Sequence, residues 1–293
     1  MRNSVANVRQ NIETVDKAGC DYWEGIWASV QQLPQPVDPR IKGLNNYVDR
    51  HLHSLFKEAF GDMGTEGKRF LEIGCGNSAW LPYFAKEYGF DVSGLDYSNS
   101  GCRNAKEILK RAGVVGDVVQ GSLFEPRDDM RDMYDVVFSL GLVEHFTDTA
   151  ACLRACSAFA RPGGLMITTI PNMTGIPGAL QKYLGREIYD VHVALDSHDL
   201  TKSHRAANLK IMRCQYCLFV NLGVLRMLRW RSKPIQVALI RLGSWISKML
   251  WVFDAIVPIL RPNRFTSPYI LCIAKKRLDS AREISCQRDD AGV

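Results

Sequence analysis

Residues 69–80, RFLEIGCGNSAW, constrain this chain more than any other stretch. A short apolar run gives way to two glycines and then to helix-favouring residues, the pattern of a β-strand turning sharply into an α-helix. Glycines at such a turn let backbone N–H groups come close to a ligand that a side chain would hold away. Two fingerprints fit the spacing. Counted from Gly74, the residues Gly74, Gly76 and Ala79 satisfy G-x-G-x-x-A, which sets a dinucleotide pyrophosphate at a helix N-terminus. Counted from Glu72, the stretch is E-x-G-x-G, with an acid near the end of the strand. In a dinucleotide strand the position two before the first glycine is normally apolar and the strand usually opens the domain. Here that position is Glu72, and 68 residues precede the strand.

Downstream, apolar runs alternate with amphipathic ones. FLEIG (70–74), DVSGLD (91–96), DVVQGS (117–122), YDVVFSL (134–140) and GLMITTIP (164–171) read as strands. AWLPYFAKEYG, NSGCRNAKEILKRAG with Asn99 or Ser100 as N-cap, and residues 147–160 read as the helices between them. This order predicts an α/β fold with a parallel, doubly wound sheet whose ligands bind beyond the C-terminal strand ends. Gly74 to Asn77, Asp96, Ser122 and Leu140 to His145 then share one rim. After Pro171 the alternation stops: LKIMRCQYCLF (209–219) and PYILCIAKK (268–276) read as two more strands, with about 48 residues between them, too many for a turn. The expected organisation is an N-terminal helical cap (1–66), a ligand-binding core (67–171), a substrate-side loop and helix segment (172–208), the last two strands with a helical insertion at about 220–266 (209–278), and a polar tail (279–293).

LEIGCGN, GLDYS, QGSLFE, YDVVFSLGLVEHF and RPGGLMITTIPN, in this order and spacing, resemble the class I S-adenosylmethionine-dependent methyltransferases. The likeness covers roughly residues 67–171 and extends more weakly to 217. It implies a Rossmann-like seven-stranded sheet, S-adenosyl-L-methionine as cofactor, and methyl transfer as the reaction. It further implies that Gly74, Cys75, Gly76 and Asn77 pass beside the methionine part of the cofactor and that Glu72 holds that loop or the cofactor's amino group. Asp96 would accept hydrogen bonds from both ribose hydroxyls, a task suited to a carboxylate. Tyr97, Ser98 and Leu140 count among the cofactor contacts, and Ser122 and Leu123 border the adenine. Two positions depart from the common pattern: Ser78 replaces a third glycine, and Ser122 stands where many relatives have Asp.

Displacement at a sulfonium-activated carbon needs alignment and exclusion of water more than a strong base. A hydroxyl acceptor must still lose a proton, and His145 or His192 can take it near neutral pH. Glu144 joins them as a catalytic candidate; the alternative is that Glu144 and His145 only shape the loop. VEHF also resembles the cyclopropane fatty-acid synthases, but Thr168 stands where those carry a fifth-strand histidine, which argues against that chemistry. An N-P-P-Y type of motif is missing, which argues against a nucleic-acid substrate. In DYWEGIW (21–27), Tyr22, Trp23 and Trp27 read as a lid over the cofactor, with Trp23 in contact with it, or as a helix packing on the core.

Nine cysteines, an odd number spread along the chain, and an N-terminus without an apolar leader predict a cytoplasmic protein without a disulfide framework. Cys214-x-x-Cys217 has no second pair, so no metal site is expected. The net charge is +6, yet residues 201–278 carry +14 and the remainder −8, which points that segment toward an anionic partner. Residues 223–265 combine an apolar helix face, Arg241, Lys248, Trp230, Trp245 and Trp251, without an uncharged run of the ~18 residues needed to span a membrane. They read as a helix docking on an anionic membrane surface, as a lid, or as a homodimer interface. The acceptor cavity is expected to be lined by residues 172–198 and 223–265. The function expected is methyl transfer to oxygen or nitrogen of a small-molecule, lipid-like or lipid-linked acceptor. The alternatives are an RNA-binding or RNA-modifying methyltransferase using the basic segment, and a dehydrogenase. The tryptophans alternate with Leu and Ile as on a helix face, which argues against base stacking and a nucleic-acid partner.

Overall fold

The computed structural model describes residues 14–61, 63–225, 233–257 and 259–278. Seven strands, β1 (Arg69–Ile73), β2 (Asp91–Asp96), β3 (Gly116–Gln120), β4 (Tyr134–Leu140), β5 (Ala160–Pro171), β6 (Leu209–Cys217) and β7 (Tyr269–Lys276), form one sheet in the order β3-β2-β1-β4-β5-β7-β6. The first five run parallel, and β7 is antiparallel to both β5 and β6. Strand order reverses between β1 and β4, which opens a crevice beyond their C-terminal ends. The helices are α1 (Cys20–Ala28), α2 (Tyr47–Phe60), α3 (Leu81–Tyr88), α4 (Asn99–Ala112), α5 (Thr149–Ser157), α6 (Ile176–Leu184), α7 (Arg186–Asp190), α8 (Ser197–Ala206) and α9 (Lys233–Ile256). The expected α/β architecture, with a helix inserted between the last two strands, is the one observed.

The central strands are apolar on both faces because helices cover both. Phe70, Val136 and Phe138 pack on one side with Phe56, Phe60 and Phe84 from α2 and α3. Leu71, Ile73 and Val137 point to the other, against Leu153 of α5, Phe159 and Met166. This period of two also explains why Cys214-x-x-Cys217 is no metal pair: Cys217 lies in the first core and Cys214 against the second. Every cysteine among the described residues is a free thiol.

Local detail departs from expectation in three places. β5 starts at Ala160, where a register shift lets Ala160 pair with Tyr134 ahead of the Val136–Leu165 pairing. α4 is capped by Ser98, one residue before Asn99: Ser98 is extended (φ −77°, ψ 126°) and its Oγ accepts from the Gly101 N–H. The insertion helix α9 is anchored through Trp251, which stacks on Tyr47 (4.6 Å between ring centroids) and donates from Nε1 to the Val220 carbonyl (2.8 Å). The expected polar tail (279–293) and Trp230 lie outside the described residues.

Phe56 is fully buried and its ring meets Phe60, Trp80, Tyr83, Phe84 and Phe138. Phe56→Ala is expected to cost about 3–5 kcal/mol in denaturant unfolding. A loss under about 1 kcal/mol would show that α2 is not an integral part of the core.

Candidate active site

Beyond β1, β2 and β4 lies a cavity of about 570 Å³, reached by the glycine loop, Asp96, the segment after β4 and α1. A second cavity of about 250 Å³ adjoins it and is bounded by Leu95, Gly121, Ser122, Leu123 and Phe124. Gly74, Asp96, Tyr97 and Leu142 border both. The pair thus forms one crevice with Asp96 at its waist.

Asp96 ends β2 almost fully buried, and its two oxygens are held from opposite sides. Oδ2 accepts from the Gly76 N–H and Oδ1 from the Ser98 N–H, each at 2.8 Å. Burial raises its pKa, and these backbone bonds work against that rise. A Cβ on Gly76 would lie 2.5 Å from Trp27 Nε1 and 2.8 Å from Asp96 Oδ2, so no other residue fits there without displacing one of them. Glu72, also buried, accepts from Ser78 Oγ at 2.6 Å, and Ser78 Oγ in turn accepts from the Trp80 N–H at 3.0 Å. The serine that replaces the third glycine therefore ties the loop to its acid. Burial, with the Asp96 charge adding to it, pushes Glu72 up to about 8. Asn77 is left-handed (φ 63°), lines the cavity, and its buried Oδ1 has no partner. A side-chain-free cradle, an orphaned amide oxygen and two buried acids suit a ligand with cationic and hydroxyl groups.

Helix α1 covers this cradle. Trp23 stacks on Trp27 (5.4 Å) and meets the His145 ring edge-on (5.1 Å). Glu24 fixes the helix in place by accepting from Ser98 Oγ (2.7 Å) and the Ser100 N–H (3.1 Å). The Ser100 hydroxyl, then the Ser98 hydroxyl and the Ser100 N–H, hold its pKa down to about 2. Aromatic residues are the sequence signal for this element, but it is the acid between them that attaches the helix to the start of α4.

The turn after β4, Val143–His145, buries Glu144 and His145, and His192 reaches them from the segment after α7. His145 Nδ1 lies 2.8 Å from the Val191 carbonyl and His192 Nδ1 2.5 Å from that of Ile188, with the ring centroids 4.5 Å apart. Each Nδ1–H donates to a carbonyl, so each neutral ring presents Nε2 as an acceptor. Burial lowers both pKa values; for His192, burial and then the charge of His145 bring it to about 4. Both Glu144 oxygens are buried without a partner, and burial pushes its pKa up to about 8. One ligand atom from each of Glu144, His145 and His192 can be chosen so that all lie within 4.8 Å of one another, a set able to hold a metal ion although the sequence suggested none.

Of the other sequence-derived candidates, Tyr97, Leu140 and Trp23 line the main cavity, and Ser122 and Leu123 the smaller one. The side chains of Cys75 and Ser98 turn away from both cavities. The Cys75 side chain is fully buried, and its Sγ occupies the space that a Cβ on Gly94 would need (2.5 Å), so it packs under the loop. Ser98 has no exposed surface and serves as helix cap and anchor for Glu24. The expected cavity walls are corrected: among the described residues of 172–198 and 223–265 only His192 lines the main cavity, and Pro34, Val48, Asp49 and Leu52 form the wall instead.

Residues 44–213 match the family model described as a methyltransferase domain. The ubiquinone biosynthesis O-methyltransferase of Pectobacterium atrosepticum is 30% identical over 207 residues, covering 69% of this chain and 80% of that protein. Its namesake from Shewanella halifaxensis is 25% identical over 204 residues, covering 68% and 78%. A putative sarcosine dimethylglycine methyltransferase from Galdieria sulphuraria shares the fold with a TM-score of 0.58 at 14% identity, covering 88% of this chain and 97% of its own. Phosphoethanolamine N-methyltransferase 2 of Haemonchus contortus does so with a TM-score of 0.55 at 16% identity, covering 89% and 59%. The chain belongs to the class I S-adenosylmethionine-dependent methyltransferases.

Gly76→Ala is expected to keep its far-ultraviolet circular dichroism and to lose calorimetric binding of S-adenosylhomocysteine by about tenfold or more, because the methyl group displaces Trp27 or Asp96. Unchanged affinity would refute the cradle. Stability follows the buried groups. Glu144, raised from 4.5 to about 8, stabilises the fold fully below pH 4.5 and loses that contribution as pH rises to about 8. His192, lowered from 6.5 to about 4, contributes above pH 6.5 and loses its contribution as pH falls to about 4. Glu144→Gln should flatten the decline of the apo-protein Tm between pH 5 and 8; an unaltered slope would contradict the burial of a proton-binding carboxyl.

Proposed function

From that membership and from the crevice, we propose that the enzyme methylates a hydroxyl oxygen on a small, mostly apolar acceptor, such as a ring carrying a lipid tail. The main supporting observation is the distribution of polarity in the main cavity. Its proton-handling groups, Glu144, His145 and His192, converge at one place among walls that include Trp23, Trp27, Leu52, Ile170 and Tyr269. A ring hydroxyl can meet the first set while its carbon frame meets the second. That relatives covering most of this chain are named O-methyltransferases of ubiquinone biosynthesis supports oxygen as the acceptor atom. An acceptor with a lipid tail resides in a membrane, so the partner on this reading is a membrane surface.

S-adenosylmethionine, when bound, supplies a methyl group on a positively charged sulfur that leaves as a neutral thioether. On the proposed assignment Asp96 holds the ribose hydroxyls, and Gly74, Gly76 and Asn77 cradle the methionine end. Glu72 and Ser78 keep that loop closed, while Leu123 and Phe124 flank the adenine. α1 excludes water through Trp23 and Trp27. His145 or His192 takes the acceptor's hydroxyl proton on Nε2, the nitrogen left free by the Nδ1 bonds to Val191 and Ile188. Glu144 faces the pair, and an imidazolium forming there would favour ionisation of its otherwise protonated carboxyl.

A second reading is supported by the unpartnered Glu144 carboxyl: a divalent cation held by Glu144, His145 and His192 would bind the acceptor oxygen and lower its pKa. Activity that chelators abolish and one metal ion restores selects this reading, and indifference to chelators selects the histidine base.

With a histidine base, kcat should stay level from pH 9 down past 6.5 and fall only at lower pH, near pH 4 if His192 is the base, since both ring pKa values are lowered. An increase centred near pH 8 would make Glu144 the base instead. The double variant His145→Gln/His192→Gln should lose about 10²–10⁴-fold in kcat with S-adenosylhomocysteine affinity retained. Full activity in that variant would overturn the proton-transfer role.

A further inference from the structure

We infer that the outward face of α9 is a docking surface for an anionic lipid bilayer. Among the described side chains of this helix only Ser247 and Trp251 are buried, and that side packs on the segment around Val220 and Leu222 and on Tyr47. The opposite side carries Leu242, Trp245, Met249, Val252, Phe253 and Ile256, each between 39% and 74% exposed. Their spacing of three and four residues places them on one stripe along the helix. A helix that turns large apolar residues to the outside has its amphipathic pattern inverted relative to an ordinary surface helix, which calls for a second apolar phase.

Charge identifies that phase. Arg241 is exposed on α9, and Arg261 and Arg264 follow, also exposed, in the loop that presents Ile259 and Phe265; Lys248 is instead engaged by Asn45 Oδ1 (2.5 Å). Arg264 sits 4.6 Å from the Phe265 ring centroid, so cation and apolar surface are presented together. Asp254 is the lone acid in the +14 segment, and its Oδ1 is engaged by the Leu260 N–H. A second copy of this chain pressed on the same face would oppose like charges, whereas anionic headgroups neutralise them. No helix among the described residues is long and apolar enough to cross a membrane, so the helix lies in the headgroup plane. It also lies outside residues 44–213, the part that matches the methyltransferase domain, and contributes nothing to the wall of the main cavity.

Docking has a consequence for the active site. Tyr47, which stacks on Trp251, is followed by Val48 and Asp49, and these line the main cavity. The wall of the crevice is thus one helical turn from the docked element, which would draw a lipid-tailed acceptor from the bilayer into it. Only this delivery step rests on the acceptor proposed above; docking itself is measured with lipid alone.

The test is co-sedimentation of the full chain with vesicles of phosphatidylcholine, with or without phosphatidylglycerol. Binding is expected only with phosphatidylglycerol, reversed by salt, and weakened by at least about tenfold in Trp245→Glu/Phe253→Glu. Retained S-adenosylhomocysteine binding in that variant shows that the fold is intact, and Arg241→Gln should weaken vesicle binding less. Failure of the parent chain to sediment with anionic vesicles overturns the proposal, as does equal sedimentation of parent and double variant. A parent dimer in sedimentation velocity that the double variant dissolves, without vesicle binding, overturns it in favour of a protein interface. Loss of O-methyl transfer with docking retained would count only against the proposed function.

Discussion

The active crevice depends on one buried carboxylate bound from two sides. Asp96 accepts from Gly76 on the β1 loop and from Ser98 at the start of α4, so a single side chain sets the spacing between two elements that must both face the ligand. Leaving that carboxylate dry and unpaired would cost several kcal/mol; two backbone donors offset part of this, and a ligand offering hydroxyl donors would offset more. Glu72 adds a second buried acid nearby, held by Ser78. Burial raises the pKa of both acids, and the Asp96 charge adds to the rise at Glu72; a cationic ligand would offset that, which is a physical reason for this loop to take a sulfonium amino acid and not a pyrophosphate.

The same anchor extends outward. Ser98 gives its N–H to Asp96, its Oγ lone pair to the cap of α4, and its hydroxyl proton to Glu24 of α1. Cradle, helix start and cover are therefore mechanically joined through one residue. On the other side of the cavity, Trp23 of that cover touches the His145 ring, so the positions of α1 and of the Glu144, His145 and His192 cluster are coupled through an aromatic contact.

What the sequence disclosed and what it concealed divide along a physical line. β2 and β4 have their expected bounds because local apolar runs set them, and Asp96 and the glycine turn could be placed because β-α-β order fixes which strand ends share a rim. The role of Ser98 as cap depends on an extended backbone that Asn99 and Ser100 lack, which the run of cap-forming residues alone does not reveal. Cys75 looked like a loop contact, yet the missing side chain at Gly94 gives its sulfur a place beneath the loop. The proximity of His192 to His145 and the N-terminal origin of the cavity wall arise from long-range packing, which local patterns do not encode. For α9 the periodicity was readable, but whether its apolar stripe faces in or out is decided by where Trp251 and Tyr47 meet.

The central claim is tested most directly by calorimetric titration of S-adenosylhomocysteine into the parent chain and into Asp96→Asn, with NADH as the control ligand. The account predicts saturable binding by the parent, no heat with NADH, and affinity about ten- to a hundredfold weaker in the variant, since a hydrogen bond to a charged group contributes ~1.5–3 kcal/mol. Equal affinity in parent and variant, or saturation by NADH with none by S-adenosylhomocysteine, would contradict it.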